Sequence, residues 1–380
     1  MSYLGLSKGH GDADDDVVNP HEAEWLTDDM NASLETLERI DDDGYMYEMD
    51  CDYDYYNNPV LLEIMKEYGI YDAGCSAFVT WNETGDSVLT ARNYDYKHTT
   101  PEGEITGLNV AIHCAPEGKY RSIGIADAYW LDYEKGTFCS GVLDDETTDI
   151  SLLVLLPYVC MDGINEKGVS VSILKLNIKE GEEPVYQKEE GKTTIGHSVL
   201  MRYILDSCAS VEEAVALAEQ YNITGAFGMN FHIFVTDATG ASAVLEWRYG
   251  KMFVTDVNVV SNFYSGFDDA EDYYKDGVLV ENVVRLESTV KEYRYGYGHG
   301  YHRLTGIVSA LERYIDFTED EYMTKMTKTQ AMHILSVAAQ DPGTEATSMT
   351  QYSVVYDTKN CSAVVCMHQD YDSVYTITLD

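Results

Sequence analysis

The residue with the clearest chemical potential in this sequence is Cys75. It follows Gly74 directly and opens the β-rich run Cys75-Ser76-Ala77-Phe78. If the Gly74-Cys75 bond is broken, Cys75 carries a thiol and a free α-amine whose reference pKa of ~7.7–8.0 suits a base working near neutrality. One residue then supplies nucleophile and base. The plain alternative is that Cys75 is a small buried hydrophobe, as most free cysteines are. Other strings that invite chemistry fail on spacing. Asp50-x-Asp52-x-Asp54 has Tyr55 where a calcium loop needs Gly, and Leu61 where it needs a bidentate Glu. Gly296-x-Gly298-x-Gly300 has no preceding strand and lacks the third spacing of a dinucleotide loop. The eight cysteines show no CxxC pair and no zinc-like Cys/His spacing, so neither a metal nor a cofactor is expected, and a disulfide framework is not indicated.

Something must hold that cysteine in place, and the punctuation of the chain changes at Gly74. Residues 1–74 are crowded with Asp, Glu and Tyr and carry only Lys8, Arg39 and Lys66 as basic residues, which reads as a separable acidic leader. Within it the spacing predicts short helices over Asn31 to Ile40 and Pro59 to Tyr68, so that it docks on the body. From Cys75 onward, Cys75 to Trp81 and Ser87 to Tyr94 read as a hairpin around Glu83-Thr84-Gly85-Asp86. Strands are expected at Leu108 to Cys114, Ser122 to Ala126, Val169 to Leu176, Phe231 to Asp237, Ala241 to Trp247 and Met252 to Asn262. Helices are expected at Thr194 to Ser207, Val211 to Tyr221, Val280 to Tyr293, Leu304 to Ile315 and Lys328 to Ala339, and the chain closes on strands from Tyr352. Blocks of strands and blocks of helices, without β-α-β alternation, argue for helices layered on sheets, an α+β fold.

From Cys75 almost to its end the sequence resembles the choloylglycine hydrolases and penicillin V acylases. Their Arg-Asn-x-Asp signature stands here as Arg92-Asn93-Tyr94-Asp95, and their Asp-Gly-x-Asn-Glu-Lys-Gly turn as Asp162 to Gly168. Glu190-Gly191-Lys192-Thr193, Ser210-Val211-Glu212-Glu213, Thr236-Asp237 with Gly240 and Glu246, Ser261-Asn262, Arg303 and Thr350-Gln351-Tyr352-Ser353 continue the match. The resemblance implies the four-layer αββα sandwich of the N-terminal-nucleophile hydrolases. It also implies catalytic roles for Cys75, Arg92, Asp95, Asn262 and Arg303. Asp95 would orient the freed amine, and Arg92 would lower the thiol pKa by its charge. A bulge at the end of their strand could aim both at Cys75, although such a string alone is as readily a surface salt bridge. Asn262 would donate to the oxyanion. The family's further pocket position falls on Lys175, where it carries Asn or Tyr; Asn177, two residues on, could take the amide role instead. That departure weakens any claim to a bile salt or penicillin V as the substrate.

Composition sets the remaining bounds. The 380 residues are 45% hydrophobic and 12% aromatic, which fits a globular chain, and 66 acidic against 25 basic residues give a net charge of −41. Such a surface is a poor partner for nucleic acid or an anionic membrane. Arg303 and Lys175 are rare cations in it and are expected to favour anionic substrates. No secretory signal or membrane span is legible, which points to a soluble, cytoplasmic protein and leaves room for a homo-oligomer. The expected partner is a small-molecule amide. An acyltransferase passing the acyl group to an amine, and a non-catalytic acidic binding protein that keeps its leader, remain as rivals.

Overall fold

The computed structural model describes residues 25–41, 45–66, 68, 74–96, 98–99, 105–106, 108–131, 137–138, 143, 148–176, 187–225, 230–248, 250–265, 274–275, 278–279, 300–316, 323–340 and 349–379. Two sheets dominate. The larger has nine strands in the order Glu38–Arg39, Met46–Cys51, Asn109–Cys114, Ser122–Asp127, Cys160–Asn165, Ser170–Leu176, Asn230–Thr236, Ser242–Arg248, Lys251–Thr255. The smaller has six, in the order Val259–Val260, Gly74–Trp81, Val88–Asp95, Thr350–Asp357, Ser362–Met367, Val374–Thr378. Six α-helices are present among the described residues: α1 (Asp28–Leu34), α2 (Pro59–Ile64), α3 (His197–Ser207), α4 (Val211–Ala218), α5 (Tyr301–Leu311) and α6 (Lys328–Val337).

The two sheets lie face to face. Tyr94 donates to Asp127 across the gap, the Thr90 and Thr236 hydroxyls meet at 2.5 Å, and Tyr352 donates to Asp162 at 2.6 Å. Strand alternation sorts the hairpin residues: Cys75, Ala77, Val79, Val88 and Tyr94 join the core shared with the large sheet. Phe78, Leu89 and Ala91 pack instead with Leu304, Ile307 and Leu335 of α5 and α6. Helices α3 and α4 cover the large sheet, and α5 and α6 the small one. The order is helix, sheet, sheet, helix, the αββα sandwich expected.

Several expectations need correction. The first helix before Gly74 runs Asp28–Leu34 instead of Asn31 to Ile40: Thr27 caps it three residues earlier than foreseen, and the chain is already extended at Glu38–Arg39. The second stops at Ile64. A whole strand, Met46–Cys51, is hidden in the sequence by its acidic surroundings; it pairs in parallel with Asn109–Cys114 through all six positions, from Met46↔Asn109 to Cys51↔Cys114. The run read as one strand from Met252 to Asn262 is two: Lys251–Thr255 ends the large sheet, and Val259–Val260 begins the small one. The Val280 to Tyr293 helix lies outside the described residues.

Candidate active site

The position of Cys75 at a sheet edge explains its neighbours. Val259–Val260 pairs with Phe78 and Ala77 and then ends, leaving the edge of Cys75 without a ladder partner. The next two side chains take over. The Ser261 hydroxyl donates to the Cys75 carbonyl at 3.3 Å, and the Cys75 N–H donates to Asn262 Oδ1 at 3.0 Å. Arg303, in the first turn of α5, donates from Nη1 to the same carbonyl at 2.8 Å and from Nη2 to Asn262 Oδ1. The approach of α5 depends on Gly300, whose φ is +121° and where a Cβ would fall 2.2 Å from Ser261 Oγ. An L side chain there is both strained and obstructed.

The thiol faces the large sheet. Arg92 Nη2 donates to Cys75 Sγ at 2.9 Å and to the Ile173 carbonyl at 2.8 Å, and the thiol itself lies 3.6 Å from that carbonyl. Ile173 offers its carbonyl because Ser170–Leu176 pairs with Cys160–Asn165 only as far as Ser172↔Asp162. Arg92 Nη1 is anchored on Asp162 and on the Tyr352 hydroxyl (3.1 Å), and Tyr352 and Tyr356 both donate to Asp162. Cys75, Arg92 and Asp162 are fully buried. Burial pushes the Cys75 thiol above its ordinary pKa, and the Arg92 charge only partly opposes this. Arg92 thus lowers the thiol pKa as expected, but with the Gly74-Cys75 bond intact desolvation outweighs it and the thiol stays protonated. For Arg92, burial also works against the charge, but its surroundings, with the Asp162 carboxylate against it, outweigh this and hold its pKa above the usual value.

Asp95 sits on the opposite face of its strand. The hairpin register is regular, with Ala77↔Arg92 and Gly74↔Asp95, so no bulge aims the pair; the irregularity lies in the closing strand, between Thr350 and Tyr352. The Asp95 carboxylate accepts from Arg303 (2.8 Å), Gln340 (2.7 Å) and Thr350 (2.6 Å). It reaches Cys75 through Arg303 and through its place beside Gly74. A Cβ on Gly74 would lie 3.1 Å from the Cβ and carbonyl of Asp95 and 3.2 Å from Gln340 Nε2, so a side chain there would press on the groups that hold Asp95.

Cys75, Arg92, Asp95, Asn262 and Arg303 thus converge on one sheet edge. Lys175 comes to the site by its main chain, its carbonyl accepting from Asn262 Nδ2 at 2.7 Å. In register it opposes Phe231, so the two side chains share a face. Asn177 lies outside the described residues. Among the described residues no group of three or more His, Cys, Asp or Glu could hold a metal ion, and no helix is long and apolar enough to cross a membrane.

A family model for linear amide C-N hydrolases, choloylglycine hydrolase family, matches residues 75–380. The chain belongs to the choloylglycine hydrolase family. A penicillin V acylase from Pectobacterium atrosepticum is 30% identical over 101 residues, which is 24% of this chain and 26% of that protein, so the match spans about a quarter of the relative's length. Among solved structures, a mutant of the conjugated bile acid hydrolase from Clostridium perfringens has 17% identity and TM-score 0.48, over 80% of this chain and 92% of that one. Penicillin V acylase from Agrobacterium tumefaciens has 18% identity and TM-score 0.48, over 80% and 86%.

Within the candidate site, five contributors have no role assignable from the sequence. Asp162 anchors Arg92, Tyr352 bridges the two, Gln340 and Thr350 hold Asp95, and Ser261 holds the Cys75 carbonyl. Four of the five stand inside strings that match the family. Their motif positions are legible, but hydrogen bonds between residues up to 260 apart are not. Gln340 carries no signal at all.

Proposed function

We propose that the protein is a cysteine N-terminal-nucleophile hydrolase that cleaves a linear, non-peptide C–N amide bond through a thioester. The observation that carries this reading is the polar bracket around Cys75, in which thiol, N–H and carbonyl each meet a side chain of the family's motif positions. Activation begins with attack of the Cys75 thiol on the Gly74 carbonyl carbon. The Gly74-Cys75 C–N bond breaks, giving a thioester and a free α-amine, and water hydrolyses the thioester to a Gly74 carboxylate and the thiol. Loss of the covalent tie at Gly74 lets the new amine turn toward Asp95, the cross-strand partner of Gly74.

In turnover the amine takes the thiol proton, and the thiolate attacks the substrate carbonyl. Arg92 stabilises the thiolate. The Asn262 amide has two N–H groups; one holds the Lys175 carbonyl, and the other is available to the oxyanion together with backbone N–H. Collapse breaks the C–N bond as the ammonium returns its proton to the leaving amine. Water, deprotonated by the α-amine, then releases the acid from the thioester. Arg303 serves as a positioning residue in this reading, since its guanidinium is engaged by Cys75, Asp95 and Asn262 and its side chain is 11% exposed. The expectation that it selects anionic substrates is withdrawn.

The test is N-terminal sequencing of the purified protein, followed by assay on N-acyl amino acids, bile conjugates and β-lactam amides, with and without an added amine. A chain beginning at Cys75 that releases acid from at least one amide is expected. Capture of the acyl group mainly by the amine would favour the acyltransferase, and an uncut chain inert to the whole panel would favour the binding protein.

A further inference from the structure

The described residues before Cys75 are built into the molecule. Met46–Cys51 carries a full ladder against Asn109–Cys114, with Glu38–Arg39 paired on its outer side. Met46, Met49, Cys51, Tyr53 and Tyr55 are buried in the principal core. The polar groups of the segment are also tied to the body. Tyr53 donates to the Val154 carbonyl, Tyr55 donates to Asp206 at 3.0 Å, and Tyr158 donates back to the Tyr55 carbonyl. Removal of the segment would bare the edge of Asn109–Cys114 and orphan those buried partners. The segment also walls a cavity of about 620 Å³, where Asn57, Leu62 and Met65 face Ile173, Tyr203 and Phe231. The carbonyl of Ile173 is the one beside the Cys75 thiol.

We propose that the polypeptide before Cys75 is retained after the Gly74-Cys75 bond breaks, as a second, non-covalently held chain. It completes the nine-stranded sheet and walls the cavity behind the nucleophile. This rests on the cleavage reading given above. Cleavage then frees the amine without opening the core, and the active species is a complex of two chains cut from one.

Native size-exclusion chromatography of the wild type, with mass analysis of the peak under denaturing conditions, tests the proposal. One peak holding equal amounts of a fragment ending at Gly74 and a chain beginning at Cys75 is the expected result. A folded, active chain beginning at Cys75 with no fragment would overturn retention while leaving cleavage intact, whereas an active uncut chain would overturn both. Retention is also tested apart from self-cleavage: a Cys75→Ala protein carrying a protease site within residues 69–73 is cut in its native state. The fragment should stay in the protein peak and leave it only in denaturant. Its release without denaturant would refute the proposal.

Discussion

Among the described residues two buried guanidinium groups face thiols, and one of them belongs to the candidate site. Between the sheets, Arg92 contacts Cys75 at 2.9 Å and is anchored on Asp162. Under α3, Arg202 contacts Cys114 at 3.4 Å and Asp206 at 2.6 Å, with Ser122 and Tyr55 completing the cluster. Thiol acidity does not single out the candidate site. Burial would raise the Cys114 thiol, but its hydrogen bond with Cys51 and the charge of Arg202 bring it below its ordinary value, whereas the Cys75 thiol ends above. What separates them is the backbone. Cys114 lies between ladder partners Cys51 and Ser122, so its main chain is spent on the sheet. Cys75 stands where a ladder stops, and its N–H and carbonyl are held by Asn262, Ser261 and Arg303. A buried cation beside a thiol is therefore not a site in itself; a main chain that can be released beside it is.

The strongest way to break that contrast is to remove the two arginines in turn. Arg92→Met should abolish turnover by at least about a hundredfold, the scale on which loss of a preorganised charge acts. It should also destabilise the fold by about 3–5 kcal/mol, since Asp162 is left buried and unpaired. Arg92→Met with Asp162→Asn should recover most of the melting temperature without recovering turnover. If activity returns with stability, Arg92 acts only as packing. Asp95→Asn comes next: it keeps the shape that Gln340 and Thr350 grip but weakens the hold on Arg303, so turnover should fall about tenfold to a hundredfold with a smaller change in melting temperature. A variant with unaltered kcat/KM would take Asp95 out of the mechanism.

How far this site is legible in the sequence follows the same divide. Cys75, Arg92 and Asp95 can be read together because a hairpin brings them within one turn of each other in register. Asn262 and Arg303 are placed by family resemblance, since nothing in their local sequence reports that the chain changes sheets at Val259. The regular hairpin defeats the expected bulge: strand alternation already sends Arg92 to the thiol and Asp95 to the helix side. The leader is harder. Its acidic composition reads as detachable, yet Met46-Tyr47-Glu48-Met49 alternates well enough once a partner strand is supplied, and only tertiary pairing makes that visible. The thiol pKa escapes the sequence for a related reason, because burial cannot be counted from neighbours in sequence.

The second region predicts a loss of stability without a loss of chemistry. Arg202→Met leaves Asp206 and Tyr55 without their cation and should destabilise the protein by about 3–5 kcal/mol. The kcat/KM of the folded fraction should be unchanged. A large loss there, measured well below the melting temperature, would mean that the Cys114 cluster communicates with Cys75 and that the contrast between the regions is false.

The smallest effect expected is acid lability in the layer that carries Arg202. His197 opens α3, its ring packed on those of Trp247 (centroids 5.1 Å apart) and Phe231 (5.8 Å). Burial, with a smaller contribution from the nearby His232 charge, lowers its pKa to about 3. An unfolded histidine titrates near ~6.5. Between those values the unfolded chain binds the extra proton, so the contribution is fully present above the unfolded value and is lost as pH falls toward the folded one. The slope for one such group approaches about 1.4 kcal/mol per pH unit. His197→Phe keeps an aromatic ring and removes the titration, so urea midpoints measured from pH 7 to pH 4 should fall less steeply than in wild type. His368, lowered to about 4 chiefly by burial, still titrates in the variant, so the slope should shrink without vanishing. An unchanged slope would place the acid-sensitive element outside α3 and leave Arg202 as the only evidence that this layer is structural.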